Sequence, residues 1–367
     1  MFAEEVLAVN KDVQKPKKIK RRRHDSSDIL FRYAHLLGFG EFHVKLDKET
    51  GLKAIIAVHS TKRGPALGGC RMVPYKATAK ALEDALRLAS MMTLKAAISN
   101  LPHGGAKAVL IKPKIIQDRQ SYFEKFGEFV NELNGRYITA VDSGTEPSDM
   151  DIIARKTKYV TCTTADGDPA PYTALGVRRG IEAAVRFKMG RDDLQGLRVA
   201  IQGAGHVGYE LAKQLRERGA KLTICDIDDR ALDRCVREFD AELCSPDEIY
   251  DIKADVFSPC ALGSVLNLNT IKRLKAKIVA GSANNQLAHI QFGLAMHERG
   301  ILYAPDFVIN AGGLIQASAM YVHGDITKAH EHISNIYDTI LEIFERSKRE
   351  DIPTVDITEM VAQERLK

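Results

Sequence analysis

The stretch "LRVAIQGAGHVGYELAKQLRERGAKLTICDID", residues 197–228, decides the fold of the second half of the chain. It reads as an apolar strand, a glycine turn, an amphipathic helix and a second apolar strand. Gly203, Gly205 and Gly208 form G-x-G-x-x-G, with Ala204, His206 and Val207 in the variable positions. The first glycine permits a tight turn, the second lets backbone approach a pyrophosphate, and the third lets helix and strand pack closely. The diphosphate then rests on free N–H groups at the positive end of the helix. Asp226 follows about twenty residues on, at the end of the next strand, where a carboxylate binds ribose hydroxyls. It would repel a 2′-phosphate, so the cofactor expected is NAD rather than NADP. Arg230, just past the acid, leaves room for tolerance of NADP. Packing alone explains a bare glycine triplet; strand, helix and acid in register argue for a dinucleotide site. His206 needs no special role.

Working outward, "ALGVRRGIEAAVRF" (174–187) reads as a helix. "ADVFSPC" (254–260), "AKIVAGSA" (276–283) and "ILYAPDFVI" (301–309) are apolar, strand-like runs. Such alternation predicts a parallel sheet covered by helices. In the first half, "EFHVKL" (41–46) and "LKAIIAVHS" (52–60) flank the turn-like "DKETG" and read as a hairpin. "KALEDALRLASMMTLKAAI" (80–98) has apolar residues at 82, 85, 86, 89, 92 and 96, a helical rhythm. "AKAVLIKP" (106–113) and "RYITAVDSGT" (136–145) suit strands of a buried sheet. "ISNIYDTILEIFERSKRED" (333–351) reads as one long amphipathic helix.

The fold class predicted is α/β, with two domains and a cleft between them. A substrate domain with a mixed sheet takes residues 28–172 and is joined by 322–367. A Rossmann-type domain takes 173–321, and residues 1–27 form a basic tail. Hinged closure of such domains excludes water from the cleft.

Composition excludes several classes. The 367 residues are 45% hydrophobic and 28% charged, as in ordinary globular proteins. No apolar run reaches the ~18 residues of a membrane span, and no apolar signal core is present at the start. The formal charge of +5 suggests nucleic acid, but residues 1–24 carry eight Lys or Arg against three acids, which accounts for the whole excess. Neither nucleic acid nor membrane is therefore expected as a partner of the patterned region. Six scattered cysteines without a CxxC pair suit the reducing cytoplasm. No metal site is expected: "HEH" (330–332) places its histidines at i and i+2, on different faces of a helix, and reads as solvated surface.

Lys95 and Lys107 flank the breaker "PHGG" in an otherwise apolar run, "MTLKAAISNLPHGGAKAVL" (92–110). Lysine seldom goes inside unpaired. One such lysine suits a fixed cation for a substrate anion. A second, desolvated beside another cation, has its charged form disfavoured and can act as a general base. Asp142 ends an apolar strand at "VDSGT", placed to exchange a proton with a substrate amine. The glycines of "PHGG" are expected to let backbone and substrate meet. Snorkelling lysines and a helix-capping aspartate are the competing structural account.

These residues resemble the glutamate/leucine/phenylalanine/valine dehydrogenase family. The matching segments are "GPALGGCRM" (64–72), "MTLKAAISNLPHGGAKAVL", "DSGTEPSDMD" (142–151), "PAPYTALGV" (169–177), the glycine turn, "SPCALG" (258–263), "GSANNQL" (281–287) and "YAPDFVINAGG" (303–313). The resemblance implies reversible oxidative deamination of an amino acid to a 2-oxo acid and ammonia, in a homo-oligomer of six or eight subunits. It implies that Lys95 holds the α-carboxylate, Lys107 activates water, and Asp142 moves a proton to and from the amine. Thr173 and Asn285 match positions near nicotinamide and substrate, Ala261 lies along the cofactor, and Gly69 is substrate-binding. The side-chain pocket falls to Leu67, Met92, Ala140, Leu314 and Ala317. Glutamate-specific members place a lysine and a serine at the positions of Leu67 and Ala317. A buried carboxylate without such partners costs several kcal/mol, so an apolar substrate is implied. Leucine and other branched-chain amino acids come first, phenylalanine or tryptophan second. Val141 and Ala106 depart from the commoner acidic residue and glycine, and neither removes a catalytic group. A catalytically inactive NAD-binding regulator on the same fold is the reading from another class, and the presence of all three catalytic candidates counts against it.

Overall fold

The computed structural model describes residues 41–367, together with His35 and Gly38; the expected basic tail, 1–27, lies outside the described residues. A first sheet has the order β1-β2-β4-β3-β5, formed by Glu41–Leu46 (β1), Lys53–Ser60 (β2), Ala66–Val73 (β3), Gly104–Ile111 (β4) and Tyr137–Val141 (β5). The hairpin β1–β2 and the β2–β4 pair are antiparallel, and β3 runs parallel to both its neighbours. The sheet is thus mixed, as expected. Helix α1 (Thr78–Ile98) covers one face through Ala81, Ala85, Leu86 and Ala89, set against Ile55, Ala57 and Val109. Helix α2 (Arg119–Glu132) covers the other with Phe123, Phe126 and Val130. The short α3 (Pro147–Ala154) follows β5.

Helix α4 (Ala170–Met189) leads into the second sheet. Its strands are Arg198–Gln202 (β6), Lys221–Cys225 (β7), Glu242–Leu243 (β8), Val256–Pro259 (β9), Ile278–Val279 (β10) and Leu302–Tyr303 (β11). They run in the order β8-β7-β6-β9-β10-β11, and every pairing is parallel. This is the doubly wound arrangement whose strand order reverses between β6 and β9, and ligands bind at the strand ends beside such a reversal. Helices α5 (His206–Glu217), α6 (Asp229–Phe239), α7 (Leu268–Arg273) and α8 (Phe292–Glu298) lie between the strands, and the short α9 (Asp306–Ile309) follows β11. Helices α10 (Gly312–His323), α11 (Thr327–Ser334), α12 (Ile336–Glu350) and α13 (Thr354–Glu364) complete the chain.

The C-terminal helices touch both halves. Helices α11 and α12 pack on α4, whereas α13 packs on α1. No helix among the described residues is long and apolar enough to cross a membrane. None of the six cysteines is in a disulfide.

Three local expectations change. The run "ILYAPDFVI" is only briefly a strand: Pro305 cannot continue a ladder, and the chain turns into α9 at Asp306. The long C-terminal helix is two helices, α11 and α12, meeting at Asn335. Its apolar face survives the break, since Ile333, Ile336, Ile340 and Phe344 are all buried. The glycines of "PHGG" lie in β4 rather than in an open turn. A Cβ on Gly104 would sit 1.7 Å from the Ser60 carbonyl oxygen, and one on Gly105 would sit 2.1 Å from the Thr93 nitrogen. They are glycine because strand, loop and helix cross too closely for a side chain, not to bare backbone to a ligand.

Candidate active site

Lys107 projects from β4, the central strand, and Asp142 immediately follows β5. Those strands are separated by β3, so the side chains must meet across about 10 Å of sheet. The glycines of β3 keep the crossing clear. A Cβ on Gly69 would come within 2.8 Å of Asp142 Cβ, and one on Gly68 would strike the Ala106 carbonyl. The Lys107 ammonium reaches the Asp142 carboxylate and forms an ion pair through Oδ2. Burial pushes the Asp142 carboxyl up, but Lys107 and Arg71 together outweigh burial and hold it at about 2. Asp142 therefore stands as an anion.

Lys95 lies in the last turn of α1, with Met92 one turn earlier on the same face. Burial lowers its ammonium to about 8, helped by the Lys107 charge and opposed by Asp306 and Asp142. It forms no hydrogen bond or ion pair among the described residues. A cation brought into the wall of a cleft and left unpaired suits an incoming carboxylate. Facing it from the second half is Asp306, whose buried carboxylate accepts from the Gln286 and Phe307 amides at 3.0 and 2.8 Å.

Leu67 is fully buried on β3, while Met92 and Leu314 are half-buried. Ala140 from β5 and Ala317 from α10 meet in one small cluster, so residues of the two halves share this wall. The Thr161 hydroxyl ties the halves further by donating to the Ala317 carbonyl at 3.1 Å.

At the second sheet the glycine turn has three distinct surroundings. Gly203 takes φ +105, and a Cβ there would sit 2.8 Å from that of Ala261. Gly208 packs on the Gly203 carbonyl, 2.0 Å from where a Cβ would lie. Gly205 has nothing within 4 Å of that position, and it precedes the N-terminus of α5 with no side-chain cap. Free amides facing open space at a positive helix end fit a diphosphate. Asp226 immediately follows β7; its carboxylate accepts from Ala204 N at 2.5 Å and from the amides of Ile227 and Asp228 at 2.6 and 3.0 Å. These residues fit a dinucleotide. His206 is exposed and Val207 half-buried. Thr173 donates its hydroxyl to the Pro169 carbonyl at 3.1 Å and touches the start of α10 beside Gly313. Asn285 is exposed in a left-handed turn after β10, φ 52, where its carbonyl accepts from Ser264 N at 2.7 Å.

Two family models match, the Glu/Leu/Phe/Val dehydrogenase dimerisation domain over residues 39–159 and Glutamate/Leucine/Phenylalanine/Valine dehydrogenase over 224–365. The chain is 47% identical to a leucine dehydrogenase of Thermoactinomyces intermedius, covering 92% of this chain and 93% of the relative. The chain belongs to the Glu/Leu/Phe/Val dehydrogenase family. An L-tryptophan dehydrogenase of Nostoc punctiforme is 43% identical over 92% of this chain and 96% of its own length. The crystal structure of L-tryptophan dehydrogenase from that organism superposes with a TM-score of 0.82, covering 92% of this chain and 98% of the other at 42% identity.

Several residues of this family member's cleft were not evident from sequence. Arg71 reaches Asp142 Oδ2 at 3.3 Å although the residues are 71 positions apart. Cys162 is buried against Ala140 and Ala317 with φ 63, a backbone region uncommon for a side chain of this kind. Asp306 carried the signal of a polar residue inside an apolar run. "HEH" is not simply solvated surface: the His330 ring lies tilted against that of Tyr172 with centroids 5.2 Å apart, and His332 Nε2 donates to the Ser99 carbonyl at 2.6 Å.

Proposed function

We propose that the chain catalyses the reversible, NAD-dependent oxidative deamination of an apolar L-amino acid, leucine and other branched-chain substrates first, to the 2-oxo acid and ammonia. The observation that carries this reading is the Lys107–Asp142 pair beside a Lys95 that has no hydrogen bond or ion pair among the described residues. Lys95 holds the substrate α-carboxylate. Asp142, anionic before substrate arrives, takes a proton from the substrate ammonium. Gly203–Gly208 and Asp226 would hold NAD⁺, which would supply the hydride acceptor for Cα. Lys107 then takes a proton from the water that attacks the iminium carbon, and Asp142 returns its proton to the departing amine. Asp226 favours NAD because a second anion at the ribose would be repelled.

Leu67, Met92, Ala140, Leu314 and Ala317 offer the substrate side chain an apolar wall. Leucine is supported by the leucine dehydrogenase relative, with Cys162 packed in the same cluster as the two alanines. Phenylalanine or tryptophan is the second reading, favoured by the room that the small Ala317 side chain leaves and by the tryptophan dehydrogenase relative. A division into 28–172 with 322–367, closing on 173–321, is supported by the shared wall at Ala140 and Ala317. The unpaired cysteines suit a reducing compartment such as the cytoplasm.

The test is a rate panel of leucine, valine, phenylalanine, tryptophan and glutamate with NAD⁺ and NADP⁺, run on the native chain and on Lys107→Ala. Leucine with NAD⁺ is expected to be fastest. Lys107→Ala is expected to lose about 10²–10⁴-fold in kcat while binding NADH normally by fluorescence. Glutamate as best substrate, or a Lys107→Ala chain keeping most of its turnover, overturns the reading.

A further inference from the structure

The Asp142 carboxylate is gripped by two cations at one atom. Its Oδ2 is in contact with Lys107 and lies 3.3 Å from Nε of Arg71. Behind Arg71, Asp84 on α1 accepts from Nη1 at 3.1 Å. Asp84 is in turn fixed by the Tyr75 hydroxyl at 2.6 Å and by Arg87 at 3.0 Å. Arg71, Asp84 and Asp142 are all mostly buried. The other charged or titratable groups facing this cluster among the described residues include Cys70 on β3, Tyr137 on β5, Lys95 on α1 and, across the cleft, Asp306.

The two cations differ in kind. A guanidinium stays charged throughout the working pH range, whereas Lys107 must give up its proton to act as a base. A carboxylate paired with Lys107 alone would hold that proton in place. A permanent cation on the same oxygen offsets the carboxylate field and repels the neighbouring ammonium. We propose that Arg71, anchored by Asp84, is a positioning residue that divides the charge of Asp142 so that Lys107 can release its proton. The same grip fixes the Asp142 carboxylate for exchange with the substrate amine. This role rests on the reading of Lys107 and Asp142 as the proton-transfer pair.

The readout is the pH profile of kcat/KM for leucine in three full-length chains: native, Arg71→Gln and Asp84→Asn. In Arg71→Gln the acid limb is expected to move up by about 1 pH unit. Asp84→Asn is expected to move the limb the other way and by less, because the charge of Arg71 is then less compensated. Opposite displacements are not what a merely structural role produces. Limbs that stay in place while rates fall at every pH, or that move in the same direction, overturn the role of Arg71. Should Arg71→Gln fail to bind NADH, the direction of the Asp84→Asn limb decides: a shift to lower pH supports the role, and none overturns it. A native chain without amino-acid dehydrogenase activity would overturn this role and the proposed function together. An active native chain with unmoved limbs removes the role alone.

Discussion

Lys95 and Lys107 share one apolar neighbourhood, yet among the described residues only Lys107 forms an ion pair. That difference sets a pH dependence for Lys95. Burial lowers its ammonium to about 8, so its charge is complete well below that pH and lost as pH rises through it. A carboxylate ligand binds the charged form, so affinity should be flat on the acid side and fall about tenfold per pH unit above it. The clean measurement is the dissociation constant of a 2-oxo acid from the enzyme–NADH complex between pH 6 and 10. A constant that does not change across pH 8 would remove Lys95 as the carboxylate holder. At this scale, the two lysines and Asp142 were legible because charge inside an apolar run stands out in one dimension. Arg71 and Cys162 were not, since their meaning lies in contacts with residues distant in the chain.

Helix α1 carries Lys95 in its last turn, and the chain holds the end of that helix with unusual care. Arg365 donates to the Ile98 carbonyl at 2.5 Å, His332 to Ser99 at 2.6 Å, and Arg63 to Leu101 at 3.0 Å. Arg63 also donates to the Arg365 carbonyl at 2.8 Å, which closes a ring of contacts between the first strands and the last helix. Cations at a helix C-terminus complement both the free carbonyls and the macrodipole. Arg365→Ala is expected to cost about 1.5–3 kcal/mol, the range for a hydrogen bond to a charged group, read as a lower midpoint in urea unfolding. An unchanged midpoint would show that the contact contributes nothing net. Helix α1 itself was legible from its apolar rhythm, and so was the glycine turn, because local periodicity generates both. The capping ring was not, because three of its four contacts join residues some 230 to 300 positions apart. The strands β8, β10 and β11, two residues each, were at best half-legible, because so short a strand is defined by its neighbours rather than by its own pattern.

For the whole molecule, the first sheet leaves one edge uncovered among the described residues, and that edge is built inside out. Along β1, Glu41, His43 and Lys45 turn inward, where Lys45 pairs with Glu132 at 2.6 Å and Glu41 pairs with Arg136. Phe42, Val44 and Leu46 turn outward at 39, 55 and 69% exposure. The alternation made β1 legible as a strand, but sequence alone did not say which set faces the core. An apolar stripe on an open strand edge invites pairing with another chain, and a second copy meeting it about a two-fold axis would bury the stripe twice. Each such side chain is worth about 1.5–3 kcal/mol when fully buried, which is enough to offset a substantial part of the cost of association. The chain should therefore sediment well above its monomer mass of 40.6 kDa. Val44→Lys combined with Leu46→Lys leaves every inward contact of β1 in place, yet should shift the boundary toward the monomer. If the double variant sediments like the native chain, the assembly does not use this edge.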